Sequence, residues 1–462
     1  MGDAPMTSKS SSIAPATLRV LSVASISLAA LSRPPTLGAT AAAVGLLLFA
    51  WSLVADESKV DRHSFRWAGL GVITILMFRI TGSVGALTES EASTQAIWLG
   101  LLVVAAAIAV VSGHRLASRR LSVAVALAAV VITTVAMTVG EWRSDLGLDV
   151  YWMHREAGEA LAAGENPYTD AVTVSNGSPF APEGAVIEGY PYPPVVVGTY
   201  AVTAGGMDPR LVSGVAWLAV LIWLGNRAIR RGRQGDTDYS MFMLLAGLAV
   251  WPVVWFASWT EPLSVALFLL TALWWRRRPN ASAIVLGLLL ASKQYFIFLA
   301  PLILFHKDDA RWRRLWLSVG VATATVLVGL LPDPDAFVAA TILNLTGIGN
   351  RPDTQSLSGL LASSGVDFYL SSAAWIAIGL AVVTLLALRS RPGSAADFVA
   401  RAALGLGIAF FLGQAFPNYW FFILALLAIA TTLFDEEATS RVANARASVS
   451  NGLAARAGGT NP

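Results

Sequence analysis

Asp149 heads LDVYWMHREAGEALAAGENPY (148–168), a stretch that interrupts an oily chain with acids, a histidine and aromatics. A carboxylate at the end of an apolar segment has two uses. It can cap a helix N-terminus, for which Asp is well suited. Held at the mouth of a partly apolar cavity, it can also take a proton as a general base. The two uses are compatible, and Asp145 is a second candidate for either. His154 stands close enough in sequence to share such a site, although a lone histidine is more often inert. Tyr151 and Tyr168 in the same stretch, with Tyr190 and Tyr192 in EGYPYPPVV (188–196), are candidate substrate contacts. Tyrosines at a headgroup boundary are also ordinary interface anchors.

Lys293 is the second kind of candidate. It sits mid-way along ASAIVLGLLLASKQYFIFLAPLILF (281–305), with about twelve mostly apolar residues on each side. An ionisable group at membrane depth costs several kcal/mol unless paired or hydrated, so it reads as functional by default. Snorkelling to a membrane face is the alternative, and that spacing strains it. A cation under a cavity suits an anionic lipid phosphate. Glu261 in WFASWTEPL sits beside Pro262, so it reads as a helix-start acid as well as a site carboxylate. Arg351 and Gln355 in GNRPDTQSLSGLL, and Asn418 in the last apolar run, offer further polar contacts, the arginine to a phosphate. Arg79, inside an apolar run, could pair with Glu141 or with a lipid.

These residues are carried by 462 positions that are 55% hydrophobic and 13% charged, where a soluble domain carries about 25% charged residues. Apolar runs of roughly 15–20 residues are long enough to cross a bilayer core as helix. They are continuous rather than alternating, which disfavours a β-barrel. The fold class expected is therefore all-α, a polytopic membrane bundle. The net charge of +3 gives no ground for a nucleic-acid partner, and none is expected. The chain has no cysteine, which excludes disulfides, thiolate metal sites and a Cys nucleophile. Its four histidines, His63, His114, His154 and His306, form no metal-ligand pattern.

Basic clusters at 59–66, 114–120, 227–233, 276–278, 307–314 and 389–391 alternate with acidic or neutral segments at 88–94, 142–193, 258–262, 332–371 and 412–417. Positive-inside logic places the first set in the cytoplasm, the second outside and both termini inside. Spans follow at 17–32, 36–55, 67–86, 96–113, 121–140, 211–226, 239–256, 260–275, 315–331, 372–388, 398–411 and 417–434. That gives about 11–13 crossings by the length rule. The run 281–305 lies between two basic clusters, and each half reaches only about 18 Å as helix. It is read as a re-entrant hairpin with Ser292-Lys293-Gln294 near its tip. The path of 193–206 stays open. The expected organisation is a disordered cytosolic tail (1–16), one membrane domain (17–434) with outer loops at 142–193 and 332–371, and a second disordered tail (435–462). Val150, Met153, Ala157 and Leu161 recur at roughly helical period and Gly164 suits a C-cap, so the opening stretch reads as an interfacial amphipathic helix.

An acid just after a span, a lysine hairpin and a late polar outer loop together resemble the GT-C superfamily of integral-membrane glycosyltransferases. Within it, the likeness is to family 87, which includes mycobacterial polyprenol-phosphate-mannose-dependent mannosyltransferases. LDVYWMHREAGEALAAGENPY (148–168), YPYPP (190–194), GLLLASKQYFIFLAPLILF (287–305) and QSLSGL (355–360) carry it. The resemblance implies an inverting transfer of mannose, or another polyprenyl-phosphate-linked sugar such as arabinose. The acceptor would be a cell-envelope glycolipid or glycan at the outer face of a bacterial plasma membrane. It implies Asp149 as base with Asp145 in reserve, and Lys293 and Arg351 on the donor phosphate. No cofactor is expected beyond the lipid-linked donor, and the sequence does not fix a metal requirement. The chain departs from the family at 258–261, where it reads Ser-Trp-Thr-Glu and many members carry Gly-Gln, so sugar specificity is not carried over. Two other classes stay open: a transporter or flippase of an anionic or lipid-linked substrate, and a non-catalytic membrane subunit.

Overall fold

The computed structural model describes residues 116–139, 149–169, 171–173, 186–231, 236–246, 254, 258–343, 354–366, 370–389, 392–413 and 415–458. The first tail, the four spans expected before residue 114, His63, His114, Arg79, Glu141, Asp145 and Arg351 lie outside the described residues. What is described is almost wholly helical, as the composition requires. Five helices are long and apolar enough to cross a membrane: α4 (Arg210–Arg230), α9 (Arg311–Leu330), α12 (Ser372–Arg389), α13 (Ala395–Leu412) and the first half of α14 (Pro417–Gly458). With them run α1 (Leu116–Val139), α5 (Asp236–Ala246) and α6 (Glu261–Trp274). A two-stranded antiparallel ladder, β1 (Ala171–Thr173) with β2 (Val186–Glu188), pairs Val172 with Ile187 between α1 and the segment at 190–194.

α13 and α14 are the centre of the bundle, with Phe398, Leu406, Trp420 and Phe422 fully buried. α9 and α12 lie at its edge and leave Trp316, Val328 and Leu385 more than three-fifths exposed. Apolar side chains facing outward on such helices suit contact with lipid tails rather than water.

The run 281–305 folds as a broken hairpin. α7 (Pro279–Leu290) stops, Lys293 is extended at φ −149°, a 3-10 turn (Gln294–Leu299) follows, and α8 (Ala300–Leu304) completes the return. Its two ends meet. The Arg314 guanidinium lies 3.9 Å over the Trp275 ring and donates to the Trp275 carbonyl at 3.0 Å, and His306 packs on the same indole. The hairpin therefore returns to the end it left, as its flanking bases suggested. α9 then runs back along α7 with Gly287 at the contact, where a Cβ would lie 2.6 Å from the Ser318 carbonyl.

The alternation of charge reappears as two ends of one bundle. At the basic end, Lys307 N–H donates to the Pro392 carbonyl, and Arg227 and Arg231 pair with Glu436 and Asp435 at 2.7 and 2.9 Å. At the opposite end meet the segments around 191, 258–261, 293, 341, 355 and 415.

The last helix, α14, runs past the expected span to Gly458, and Arg231 also donates to Thr439. Ala and Arg are strong helix formers, so an Ala/Ser/Arg-rich stretch extends a helix readily. The expected amphipathic helix forms as α2 (Asp149–Ala163) and ends on Gly164 at φ +81°, where Glu165 N–H returns to the Ala160 carbonyl. Its buried face, however, is Tyr151, Met153, His154, Ala157 and Gly158, while Leu161 is 38% exposed. The cause is α3 (Pro194–Tyr200), which continues as a 3-10 turn (Ala201–Thr203) at the same end. Its Tyr200 carbonyl would lie 3.1 Å from a Cβ at Gly158, drawing that side of α2 inward.

Gly287→Val should destabilise the α7–α9 crossing by about 1–3 kcal/mol, the usual cost of overpacking. The check is the unfolding temperature of the detergent-solubilised protein; an unchanged value would mean that the two helices are free to separate.

Candidate active site at the tip of the broken hairpin

The helix break leaves Lys293 nowhere to snorkel. Its ammonium meets the Glu261 carboxylate at 3.0 Å, and both side chains are buried. The Nζ also lies 4.9 Å from the Tyr192 ring centroid and 5.7 Å from that of Tyr295. A buried charge needs a partner, and aromatic faces add a cation–π attraction. Glu261 opens α6 beside Pro262, so the helix-start and site readings of this acid hold together. Just before it, Ser258 adopts φ +56°, a left-handed conformation that costs a non-glycine residue energy. Its carbonyl accepts the Tyr200 hydroxyl at 3.2 Å.

Next along the tip, Gln294 donates through Nε2 to the carbonyls of Pro191 at 2.8 Å and Thr341 at 2.9 Å. One amide thus ties the hairpin to the loop before α3 and to the π turn (Ala339–Leu343) that follows the short helix α10 (Pro334–Val338).

Tyrosines form the wall behind Lys293. His154 is fully buried, stacks on Tyr200 at 3.8 Å between ring centroids, and meets the Tyr190 hydroxyl at 2.6 Å through Nδ1. Tyr168 reaches the Tyr192 carbonyl at 3.2 Å and packs edge-on against Phe337. Burial first, then the Lys293 ammonium, hold the His154 imidazole well below its ordinary range, with the Ser258 backbone acting the other way. Burial likewise pushes the Tyr190 phenol well above its usual value, reinforced by the neighbouring tyrosines. A neutral imidazole and neutral phenols therefore line this wall.

Of the residues singled out in the sequence, His154, Tyr168, Tyr190, Tyr192, Glu261 and Lys293 come together here. Tyr151 is buried at the start of α2 but faces Arg210, whose guanidinium lies 5.1 Å from its ring. Gln355 and Asn418 are buried across the same end. Gln355 N–H donates to the Ala415 carbonyl at 2.7 Å, and Asn418 precedes Tyr419, whose ring lies 5.9 Å from Tyr295. Asp149 is the first residue of α2, five positions before His154.

Sequence reasoning missed Tyr200, Gln294, Tyr295 and the buried Asp208–Arg210 pair, whose Nε and Oδ1 are 2.9 Å apart. An arginine at the start of α4, opposite the basic clusters, was the signal for that pair. Nothing local marked the two tyrosines. Among the described residues, no three His, Asp or Glu side chains gather as a metal-ligand group.

The geometry is thus a buried, partnered cation on a helix break, walled by neutral tyrosines. Residues 192–416 match the sequence model of Glycosyltransferase family 87. Over that segment, just under half of its length, the chain is similar to the membrane glycosyltransferases of family 87. The match covers Tyr192, Glu261, Lys293, Arg351 and Gln355 and begins downstream of Asp149. No curated protein and no solved structure matches the chain.

His154 makes stability pH-dependent. Above about pH 6.5 its neutral state costs nothing; below it the unfolded chain takes up a proton that the folded protein refuses. Stability should then fall by up to about 1.4 kcal/mol per pH unit. His154→Phe, which keeps a ring on Tyr200, should flatten the fall in unfolding temperature between about pH 6.5 and 5. Parallel curves for the two proteins would assign the acid sensitivity to other groups.

Proposed function

We propose that the protein transfers a sugar from a polyprenyl-phosphate donor to a hydroxyl of a cell-envelope glycolipid or glycan. The transfer inverts the anomeric centre, takes place at the outer face of a bacterial plasma membrane and uses no cofactor. The sugar is mannose or a related polyprenyl-phosphate-linked sugar such as arabinose. One observation supports this above the others: Lys293 is buried on a helix break and tied through Glu261 and Gln294 to segments that, by their charge, are expected outside. A prenyl tail could stay in the bilayer while its phosphate reaches that ammonium. The family match favours transfer over transport.

In this reading Asp149 takes the proton of the acceptor hydroxyl as its oxygen attacks the anomeric carbon, and Asp145 is the reserve base. Lys293, with Arg351, offsets the charge growing on the departing phosphate. A phosphate leaves readily, so one base and fixed cations cover the main charge changes. His154 and the tyrosines hold the polar wall without bringing a competing charge, and Gln355 and Asn418 are candidate hydroxyl partners for the sugar or acceptor.

Asp149→Asn should lower transfer about 10²–10⁴-fold, the usual contribution of a general base, in a membrane assay with polyprenyl-phosphate-mannose. Normal product from the folded, inserted variant would remove Asp149 from the role. Lys293→Met should raise the donor KM about 10–100-fold, the loss of one charge-assisted hydrogen bond. Donor dependence equal to wild type would take Lys293 out of the site.

A further inference from the structure

Lys293 is not a waiting cation. Glu261 is completely buried, and its Oε1 holds the ammonium at 3.0 Å. Its Oε2 is buried without a hydrogen-bond partner, and so are the hydroxyls of Thr260, Ser264 and Tyr295. Arg210, the other buried cation described at this end, is bound to Asp208. The described part of the site is thus close to electrically balanced before any anion arrives.

That balance treats two phosphates differently. A polyprenyl-phosphate-sugar is a phosphodiester and carries one negative charge. An ammonium has three N–H donors, so Lys293 can serve Glu261 and a phosphate oxygen together. In the transfer, the acceptor oxygen bonds to the anomeric carbon as the bond from that carbon to the phosphate oxygen breaks. The electron pair leaves with the phosphate, and the acceptor proton goes to the base. The product phosphate is now a monoester, with a charge of about −1.5 to −2 near neutral pH. Its added charge develops beside the carboxylate that shares the same lysine, in surroundings where charges are poorly screened.

We infer that Glu261 discriminates between the charge states of the bound phosphate, tolerating the monoanionic diester and repelling the product monoester so that the spent lipid leaves. This rests on the polyprenyl-phosphate reading above and adds a role for Glu261 in product release.

The test compares the binding of two probes to the full-length protein in detergent: a polyprenyl phosphate, and the same lipid capped as its methyl phosphodiester. Wild type should bind the capped diester more tightly. Glu261→Gln, which keeps the shape and a hydrogen-bond acceptor, should tighten the monoester about tenfold, a modest share of one unit-charge repulsion at short range. It should tighten the diester less, by about three- to fourfold, since the repulsion scales with the charge the ligand carries. Glu261→Asp, which keeps the charge, should behave as wild type.

A wild-type protein that prefers the monoester overturns the inference whatever the variants do. So does a folded Glu261→Gln protein, checked by its unfolding temperature, that binds both probes as wild type does or tightens both equally. If wild type binds neither probe, the polyprenyl-phosphate reading fails and takes this inference with it. If wild type binds both but the charge preference is missing, only the inference falls.

Discussion

An ammonium among apolar helices costs several kcal/mol unless a partner and hydrogen bonds compensate it. The Lys293–Glu261 contact meets that condition, and much of the surrounding architecture is arranged to keep it. The carboxylate must stand at the end of α6 that faces the hairpin tip, which the left-handed turn at Ser258 and the proline after Glu261 bring about. The lysine must stand where the hairpin reverses, so its backbone leaves the helical state there and the chain resumes as a tighter 3-10 turn. Removing either partner would leave a buried charge alone, which is why two residues 32 positions apart constrain each other.

Around that pair, the enzyme joins two bodies of structure. The bundle core is aliphatic and aromatic, centred on α13 and α14. A smaller core of Met153, Tyr168, Tyr190, Val196, Tyr200 and Phe337 sits under the interfacial helix. Gln294 and Tyr192 bridge the two, since each touches the hairpin tip and the loop before α3. A catalytic acid at the start of α2 would therefore be positioned by the same tyrosine wall that positions the lysine.

Much of this was legible in the sequence, for reasons that can be named. An apolar run with bases at both ends and a lysine in the middle admits few membrane paths, so a reversal near Ser292-Lys293-Gln294 could be read directly. Gly164 and the Asn-Pro-Tyr turn fixed the end of α2 because backbone chemistry is local. Partners were less legible. Glu261 and Lys293 each stood out, but nothing in sequence joins them, because the pairing depends on how α6 and the hairpin pack. Tyr200 looked like any tyrosine in a short apolar segment until the His154 stack gave it a place. The length of α14 is less legible, because apolar length marks where a span ends and not where a helix ends, and Ala and Arg carry the helix on. Leu161 fitted a helical period yet faces outward, since period alone does not say which neighbour a helix will meet.

The hairpin has a further consequence. Its base is clamped at the basic end by Arg314 on Trp275, and α7 has twelve residues before the break. At 1.5 Å per residue that arm is about 18 Å long, a little over half of a typical hydrocarbon thickness. The length of α7 thus sets how far the hairpin tip stands from the clamped end. It works as a ruler, with the distance of Lys293 from Trp275 counted out in residues.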